Sequence, residues 1–489
     1  MAIGNRAIYR SEIIHCLLCH DAPCSSACKK ANPAKLLRSI WFGNEIGAAC
    51  TLGDNPCISC DAPCEKACPQ DVPIQRTVTK LSALTDKEPK VDLSDESLLR
   101  TDICRIPIEN PFLLSSSVVA STYDICARAF DAGWAGVAFK TISLMDIHEA
   151  SPRFSAIKGD CRTIIGFKNI EQLSDHSLVE NMKVFSKLKQ NYPTKFLLAS
   201  IMGRDDGEWE YLAKEVTKAG ADAIELNFSC PNMVEEGTGS DVGQCPGLVE
   251  RFTRVARRAS DLPILAKLTP NVATMSPAVE AAIRGGADGL AAINTIKSLI
   301  EIGPGSDTVA VGGFSGNSVR PIAMRFIAEL EQNQNLRGYH LSAMGGIETW
   351  EDALGFILLG GNSLQVTTAV MQYGYRIIDD LKQGLLAYLK MNGTTLEEIR
   401  GKALNCVVDI EKIERDIVVY PKFLREKCIG CGRCYISCMD GGHQAIMFDE
   451  RRKPRLDAGK CVGCHLCLLV CPKEAIISSE VARKRKSTR

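Results

Sequence analysis

Residues 340–370 read HLSAMGGIETWEDALGFILLGGNSLQVTTAV. Two short apolar runs, HLSAMGGI and SLQVTTAV, each end in small or hydroxylated residues. Six runs of the same kind precede them: FLLSSSV, WAGVAFKTI, KFLLASIMG, AIELNFSC, PILAKLTPN and GLAAINTIK. Most are separated by helix-patterned stretches such as EWEYLAKEVTKAGA. Eight strand-like runs alternating with helices predict an α/β fold, a TIM-type (β/α)8 barrel, over residues 101–415. In that fold reactive residues sit at the C-terminal ends of the strands. Those ends carry Ser116, Lys140, Asn227, Cys230, Lys267, Asn294, Thr295, Gly345, Gly346, Thr367 and Thr368. The last four close runs seven and eight, where barrels bind phosphate. Glycines there either turn the chain or let backbone N–H groups approach phosphate oxygens. The two threonines beside them favour phosphate.

Cysteines flank the barrel. Of the 23 in the chain, sixteen fall into four tight runs. Near the C-terminus, Cys428, Cys431, Cys434 and Cys438 are followed by Cys461, Cys464, Cys467 and Cys471, each run spaced C-x2-C-x2-C-x3-C. This is the spacing of a two-cluster ferredoxin, in which the fourth cysteine of each run ligates the other cluster. The predicted ligand sets are Cys428, Cys431, Cys434, Cys471 and Cys461, Cys464, Cys467, Cys438. Met439 replaces the proline usual after the fourth cysteine, a turn position that ligates nothing.

Near the N-terminus, Cys16, Cys19, Cys24, Cys28 and Cys57, Cys60, Cys64, Cys68 share the phrases HDAPCSSAC and CDAPCEKAC, a sign of internal duplication. The same swapping logic assigns Cys16, Cys19, Cys24, Cys68 to one cluster and Cys28, Cys57, Cys60, Cys64 to the other. Cys50 is an alternative ligand, and a zinc site or a single cluster is the competing reading. His15 and His20 are expected on the surface. The stretch LLRSIWFGNEIGAAC has helical spacing, so cluster loops joined by helices are expected over residues 1–100. Residues 416–489 form the ferredoxin-like module and a basic tail, VARKRKSTR, expected to fray.

Lysine plus arginine equals aspartate plus glutamate at 58 each, which gives no reason to expect nucleic acid or an acidic membrane as partner. No run of 18 apolar residues predicts a transmembrane helix, and the start does not read as a secretory signal. Clustered cysteines without such a signal point to reduced thiols in the cytoplasm. A barrel between iron–sulfur modules needs a phosphate-bearing cofactor that accepts single electrons and delivers a hydride. FMN does this and a nicotinamide does not. No G-x-G-x-x-G stands on a strand–turn–helix unit, so the nicotinamide-handling portion is expected on a partner. Lys140 or Lys267 can stabilise the reduced flavin ring.

At these residues the chain resembles the dihydropyrimidine dehydrogenase family, in particular its bacterial FMN-containing, pyrimidine-binding subunits. The likeness spans about residues 105–480 and rests on SPRF, ASIMG, NFSCPN, AKLTPN, AAINT, GGIETWEDA, LQVTTAVMQYGYRI and GRCYISCMDGGHQAI. It implies that Ser116, Lys140, Thr141, Lys267, Gly316, Gly345, Gly346, Ile347, Thr367 and Thr368 contact FMN. It implies pyrimidine contacts for Asn169, Asn227, Phe228, Ser229, Asn294 and Thr295. Cys230 matches the general acid, on a loop described as mobile in the family. The implied reaction is reduction of a 5,6 double bond, fed through four 4Fe–4S clusters by a separate FAD/NAD(P)H subunit or a ferredoxin. A homodimer or heterotetramer is implied.

Three departures matter. The segment SLIEIGPGSDTVAVGGFSG is shorter than its family equivalent and adjoins Asn294 and Thr295, so substrate choice can differ from uracil and thymine. Cys245, in the loop GTGSDVGQCPGL, reads as a bystander. The N-terminal module resembles the start of the long single-chain enzymes, without the FAD and NADPH domains that follow there. Two rivals remain: a dihydroorotate dehydrogenase-like enzyme, and an electron-relay subunit.

Overall fold

All eight apolar runs become parallel strands of one closed barrel in the computed structural model, which describes residues 12–52, 55–85, 91–159, 163–300, 302, 309–336 and 338–483. The strands are β1 (Phe112–Leu114), β2 (Gly136–Ala138), β3 (Phe196–Ile201), β4 (Ala223–Asn227), β5 (Ile264–Lys267), β6 (Gly289–Ala292), β7 (His340–Met344) and β8 (Ser363–Val366). They pair in chain order, and β8 closes on β1 with Leu364 opposite Phe112. The strands read as continuous apolar runs because both of their faces are covered. All six residues of β3 are buried. The intervening helices bury one stripe each. In Asp206–Lys218 this stripe is Trp209, Leu212, Ala213 and Val216, and the Asp205 side chain caps the helix by accepting from Glu208 N.

Above the barrel lies an antiparallel sheet that apolar periodicity does not reveal. Its order is Ile296–Ser298, Gly312–Ser315, Ile164–Asn169, Phe154–Lys158. The strands come from the loops after β2 and β6. Part of the shortened segment, residues 301 and 303–308, lies outside the described residues.

The chain divides into two compact units, 1–405 and 406–489. The N-terminal cysteine module belongs to the first. LLRSIWFGNEIGAAC forms parts of two helices, Pro33–Trp41 and Glu45–Leu52, broken at Gly43 with φ +69°. The duplicated phrases share one backbone turn: Ala22 and Ala62 both adopt left-handed φ (45° and 50°), and a proline then opens a short helix. The module docks on the barrel helix Ile377–Asn392. There the buried Asp380 accepts from Arg38 Nε at 2.8 Å, Ser39 Oγ at 2.6 Å and Asn44 Nδ2 at 3.1 Å. Phe42 meets Tyr373 edge to face at 5.1 Å between ring centroids.

In the second unit, Ile417–Phe423 pairs antiparallel with Ile476–Arg483, and Ile446–Phe448 with Pro454–Leu456. Val481–Arg483, expected to fray as the start of the basic tail, instead complete a strand, with Arg483 opposite Ile417. Residues 484–489 lie outside the described residues. Among the described residues no helix is long and apolar enough to cross a membrane.

Candidate functional site

The C-terminal strand ends open into one cleft of about 1090 Å³, mouth included. Its wall includes Ser116, Lys140, Thr141, Lys267, Gly316, Gly345, Gly346, Ile347, Thr367 and Thr368, together with Asn169, Asn227, Cys230, Asn294 and Thr295. Residues spread over 250 positions thus meet because each ends a strand or follows one.

At one end the backbone is shaped by glycines. Gly316, Gly345 and Gly346 have φ of +95°, +121° and +82°. A β-carbon on Gly346 would stand 2.9 Å from the Gly316 carbonyl oxygen and 3.0 Å from Arg320 N. The helix Arg320–Gln332 starts just beyond. Positive-φ glycines beside a helix N-terminus, with hydroxyls on Thr367 and Thr368, suit a phosphate group.

Two lysines reach into the cleft. Lys267 Nζ donates to Ser116 Oγ at 3.1 Å and to Glu225 Oε1 at 3.2 Å. Lys140 Nζ stands 3.7 Å from both Glu149 and Glu171, and Arg153 braces Glu171 at 3.0 Å. Burial raises the Glu171 carboxyl above its ordinary range, against the charge of Lys140. The three carboxylates escaped sequence reasoning because no helical or strand spacing pairs them with their lysines, which stand 9, 31 and 42 positions away.

Ser229 joins the asparagines. Its Oγ donates to Asn227 Oδ1 at 2.8 Å and accepts from Asn294 Nδ2 at 2.8 Å. Asn227 Nδ2 donates to Thr141 Oγ1 at 2.8 Å, and Asn294 Oδ1 accepts from Thr295 N at 2.7 Å. These bonds fix which way each carboxamide faces. Asn169 reaches the cleft from the upper sheet, where it pairs with Gly313 and Phe154. Asn232 ties the Cys230 loop to that sheet by donating to the carbonyls of Glu171 at 2.8 Å and Asn169 at 3.3 Å. Ser229 and Phe228 do not line the cleft. Ser229 lies behind the two asparagines it orients, and the fully buried Phe228 ring packs on Trp209, 5.3 Å between centroids.

Cys230 is buried on the wall, and burial pushes its thiol up to about 11. Cys245 is exposed and precedes the helix Pro246–Ala259, away from the wall.

The cysteine runs form separate cavities. Cys428, Cys431, Cys434 and Cys471 line one, and Cys438, Cys461, Cys464 and Cys467 line another. In the N-terminal module, Cys28, Cys57, Cys60 and Cys64 share a third. Cys24, Cys68 and Cys19 are the thiols near enough to act on Cys16 electrostatically. Cys50 is exposed and donates to Val91 O at 3.4 Å, and it lines none of these cavities. His15 and His20 are exposed.

Residues 98–389 match the dihydroorotate dehydrogenase family, and residues 423–478 match the 4Fe-4S dicluster domain. The fold and its two matches define an iron–sulfur barrel oxidoreductase. The chain is 49% identical over 397 residues to the NAD-dependent dihydropyrimidine dehydrogenase subunit PreA of Escherichia coli (strain K12), covering 79% of this chain and 97% of that one. The chloroplastic dihydropyrimidine dehydrogenase (NADP(+)) of Arabidopsis thaliana is 35% identical over 356 residues, 68% of this chain and 81% of its own. The catalytic subunit of dihydroorotate dehydrogenase B (NAD(+)) of Pyrococcus abyssi is 34% identical over 316 residues, 63% and 99% respectively. The chain belongs to the dihydropyrimidine dehydrogenase family.

Proposed function

We propose that this chain reduces the 5,6 double bond of a pyrimidine-type cyclic amide, with FMN in the barrel cleft and electrons supplied by a partner through four 4Fe–4S clusters. The observation that carries the reading is the pair of oriented carboxamides beside a buried thiol. Asn227 and Asn294 each spend one N–H on a fixed partner and keep a second for a ring carbonyl. Glu171, on the cleft wall, can accept from a ring N–H. Asn169 reaches the ring from above.

The positive-φ glycines, Thr367 and Thr368 fit the FMN phosphate, while Ser116, Lys140, Thr141, Lys267 and Ile347 suit the rest of the cofactor. FMN supplies the hydride for the ring C6. Cys230, a neutral thiol at pH 7, donates the proton to C5, and solvent later returns it. Lys267 stabilises negative charge on the reduced cofactor.

The four cysteine sets proposed as cluster ligands are the four groups of thiols described above. The relatives named as subunits support a separate FAD/NAD(P)H-binding subunit as donor, with ferredoxin as the alternative.

The test is anaerobic reduction of the purified protein with dithionite, then mixing with uracil, thymine or orotate. Flavin reoxidation by uracil or thymine supports the proposal. Reoxidation by orotate alone identifies the dihydroorotate dehydrogenase-like rival, and reoxidation by none of the panel leaves an electron relay.

A further inference from the structure

Glu225 lies on β4 inside the barrel, wholly shielded from solvent. Barrel interiors are packed mainly with branched apolar residues, and a buried carboxylate is costly unless it is paired and hydrogen-bonded. Both of its oxygens are engaged. Oε1 accepts from Lys267 Nζ at 3.2 Å, and Oε2 accepts from Gln365 Nε2 at 3.2 Å. Gln365 is itself held, accepting from Ser115 Oγ at 3.1 Å and donating to Ser342 Oγ at 3.0 Å. Ser363 Oγ donates to Ser342 Oγ at 2.9 Å and stands 2.9 Å from His340 Nε2. A polar file therefore runs through the barrel interior, from Lys267 at the cleft to His340 at the start of β7. Well-packed apolar residues would serve the fold as well or better. What the file supports is the lysine at its upper end.

We propose that Glu225 is a positioning residue: it is the counter-charge that keeps Lys267 an ammonium, aimed into the cleft, throughout the redox cycle. This rests on the FMN reading above. Lys267 is faced by Ser116 from the end of β1 and by Glu225 from β4. Cys230, Lys140, Glu171 and Glu348 are the titratable groups that share its cleft, and Glu225 is the carboxylate in contact with its Nζ. With Glu225 present, reduction of the flavin takes two electrons and one proton, and Lys267 keeps its own proton. Without it, a buried ammonium lacks compensation and sheds its proton while the ring is neutral. Reduction then takes two electrons and two protons, the second landing on Lys267 Nζ.

The test is the pH dependence of the flavin midpoint potential in the full chain with FMN bound, between about pH 6 and 9, where one extra proton per electron pair changes the slope most plainly. In Glu225→Gln the slope should steepen towards twice the native value. In a Lys267→Met background, adding Glu225→Gln should leave the slope unchanged, because the proton acceptor is gone. If Glu225→Gln cannot hold FMN, Glu225→Asp serves, since its shorter carboxylate loosens the contact and should give an intermediate slope. A native slope in the single variants of Glu225 overturns the inference, as does an equal steepening in the Lys267→Met background. A native chain that takes up no FMN defeats the functional reading instead.

Discussion

Replacing Cys230 with alanine should slow oxidation of the reduced protein by a pyrimidine by ~10²–10⁴-fold, the usual contribution of a positioned general acid. That corresponds to about 3–5 kcal/mol of barrel-site transition-state stabilisation. The magnitude has a basis in burial. With its thiol pushed up to about 11, Cys230 is protonated at pH 7 by about ten thousand to one. The protonated form is the active one for reduction, so a raised value extends activity towards high pH. The native rate should stay level from about pH 6 to 9, where an ordinary thiol of about 8.5 would already be half ionised. The assay is anaerobic stopped-flow mixing of dithionite-reduced protein with uracil, following return of the flavin absorbance, with flavin and iron content measured in parallel. A Cys230→Ala rate within about twofold of native, less than one general acid contributes, would refute the assignment. A native rate that halves near pH 8.5 would refute the burial argument.

Other outcomes follow from the same geometry. Gly346→Ala forces a side chain into a left-handed backbone with a carbonyl oxygen 2.9 Å from its β-carbon, and should lower FMN retained after desalting, at a cost of about 1–2 kcal/mol. Undiminished flavin in that variant would exclude close phosphate approach there. Asp380→Ala leaves Arg38, Ser39 and Asn44 without their shared acceptor and should cost about 3–5 kcal/mol in denaturant unfolding of the first unit. A loss below about 1 kcal/mol, the range of an exposed pair, would mean the N-terminal module docks by other contacts. Cys471→Ala should remove the same cluster signal in electron paramagnetic resonance as Cys428→Ala, and Cys438→Ala the same as Cys461→Ala. Each should cost about four of about sixteen irons per chain, and loss of different signals within a pair would overturn the crossed ligand sets.

Much of the fold is legible in the amino-acid sequence. The eight runs marked the eight barrel strands, because a strand buried on both faces must be apolar along its length, and that pattern is local. The short cysteine spacings bring thiols together within each run. Three readings went differently. Phe228 sits two residues before Cys230 in sequence, yet it directly follows the cleft-lining Asn227 at the end of β4, and alternation turns its ring to the other side, towards Trp209. Ser229 acts behind the wall rather than on it. Val481–Arg483 looked like a loose basic end but complete a strand, because Ile417–Phe423 offers them a partner.

The amino-acid order by itself determined what is set by near neighbours: the strand and helix periods, the glycines that take positive φ, the cysteine spacings, and the residue types at strand ends. Only the tertiary structure decided what depends on closure. It put Glu225 behind Lys267, 42 residues away, and Glu171 beside Lys140, 31 residues away. It raised a second sheet from two loops to bring Asn169 over the cleft, and it set the N-terminal module on Asp380. The physical reason is that charge pairing and burial are properties of an enclosed volume. A carboxylate in the sequence is only a surface charge until the barrel closes around it and leaves one lysine within reach.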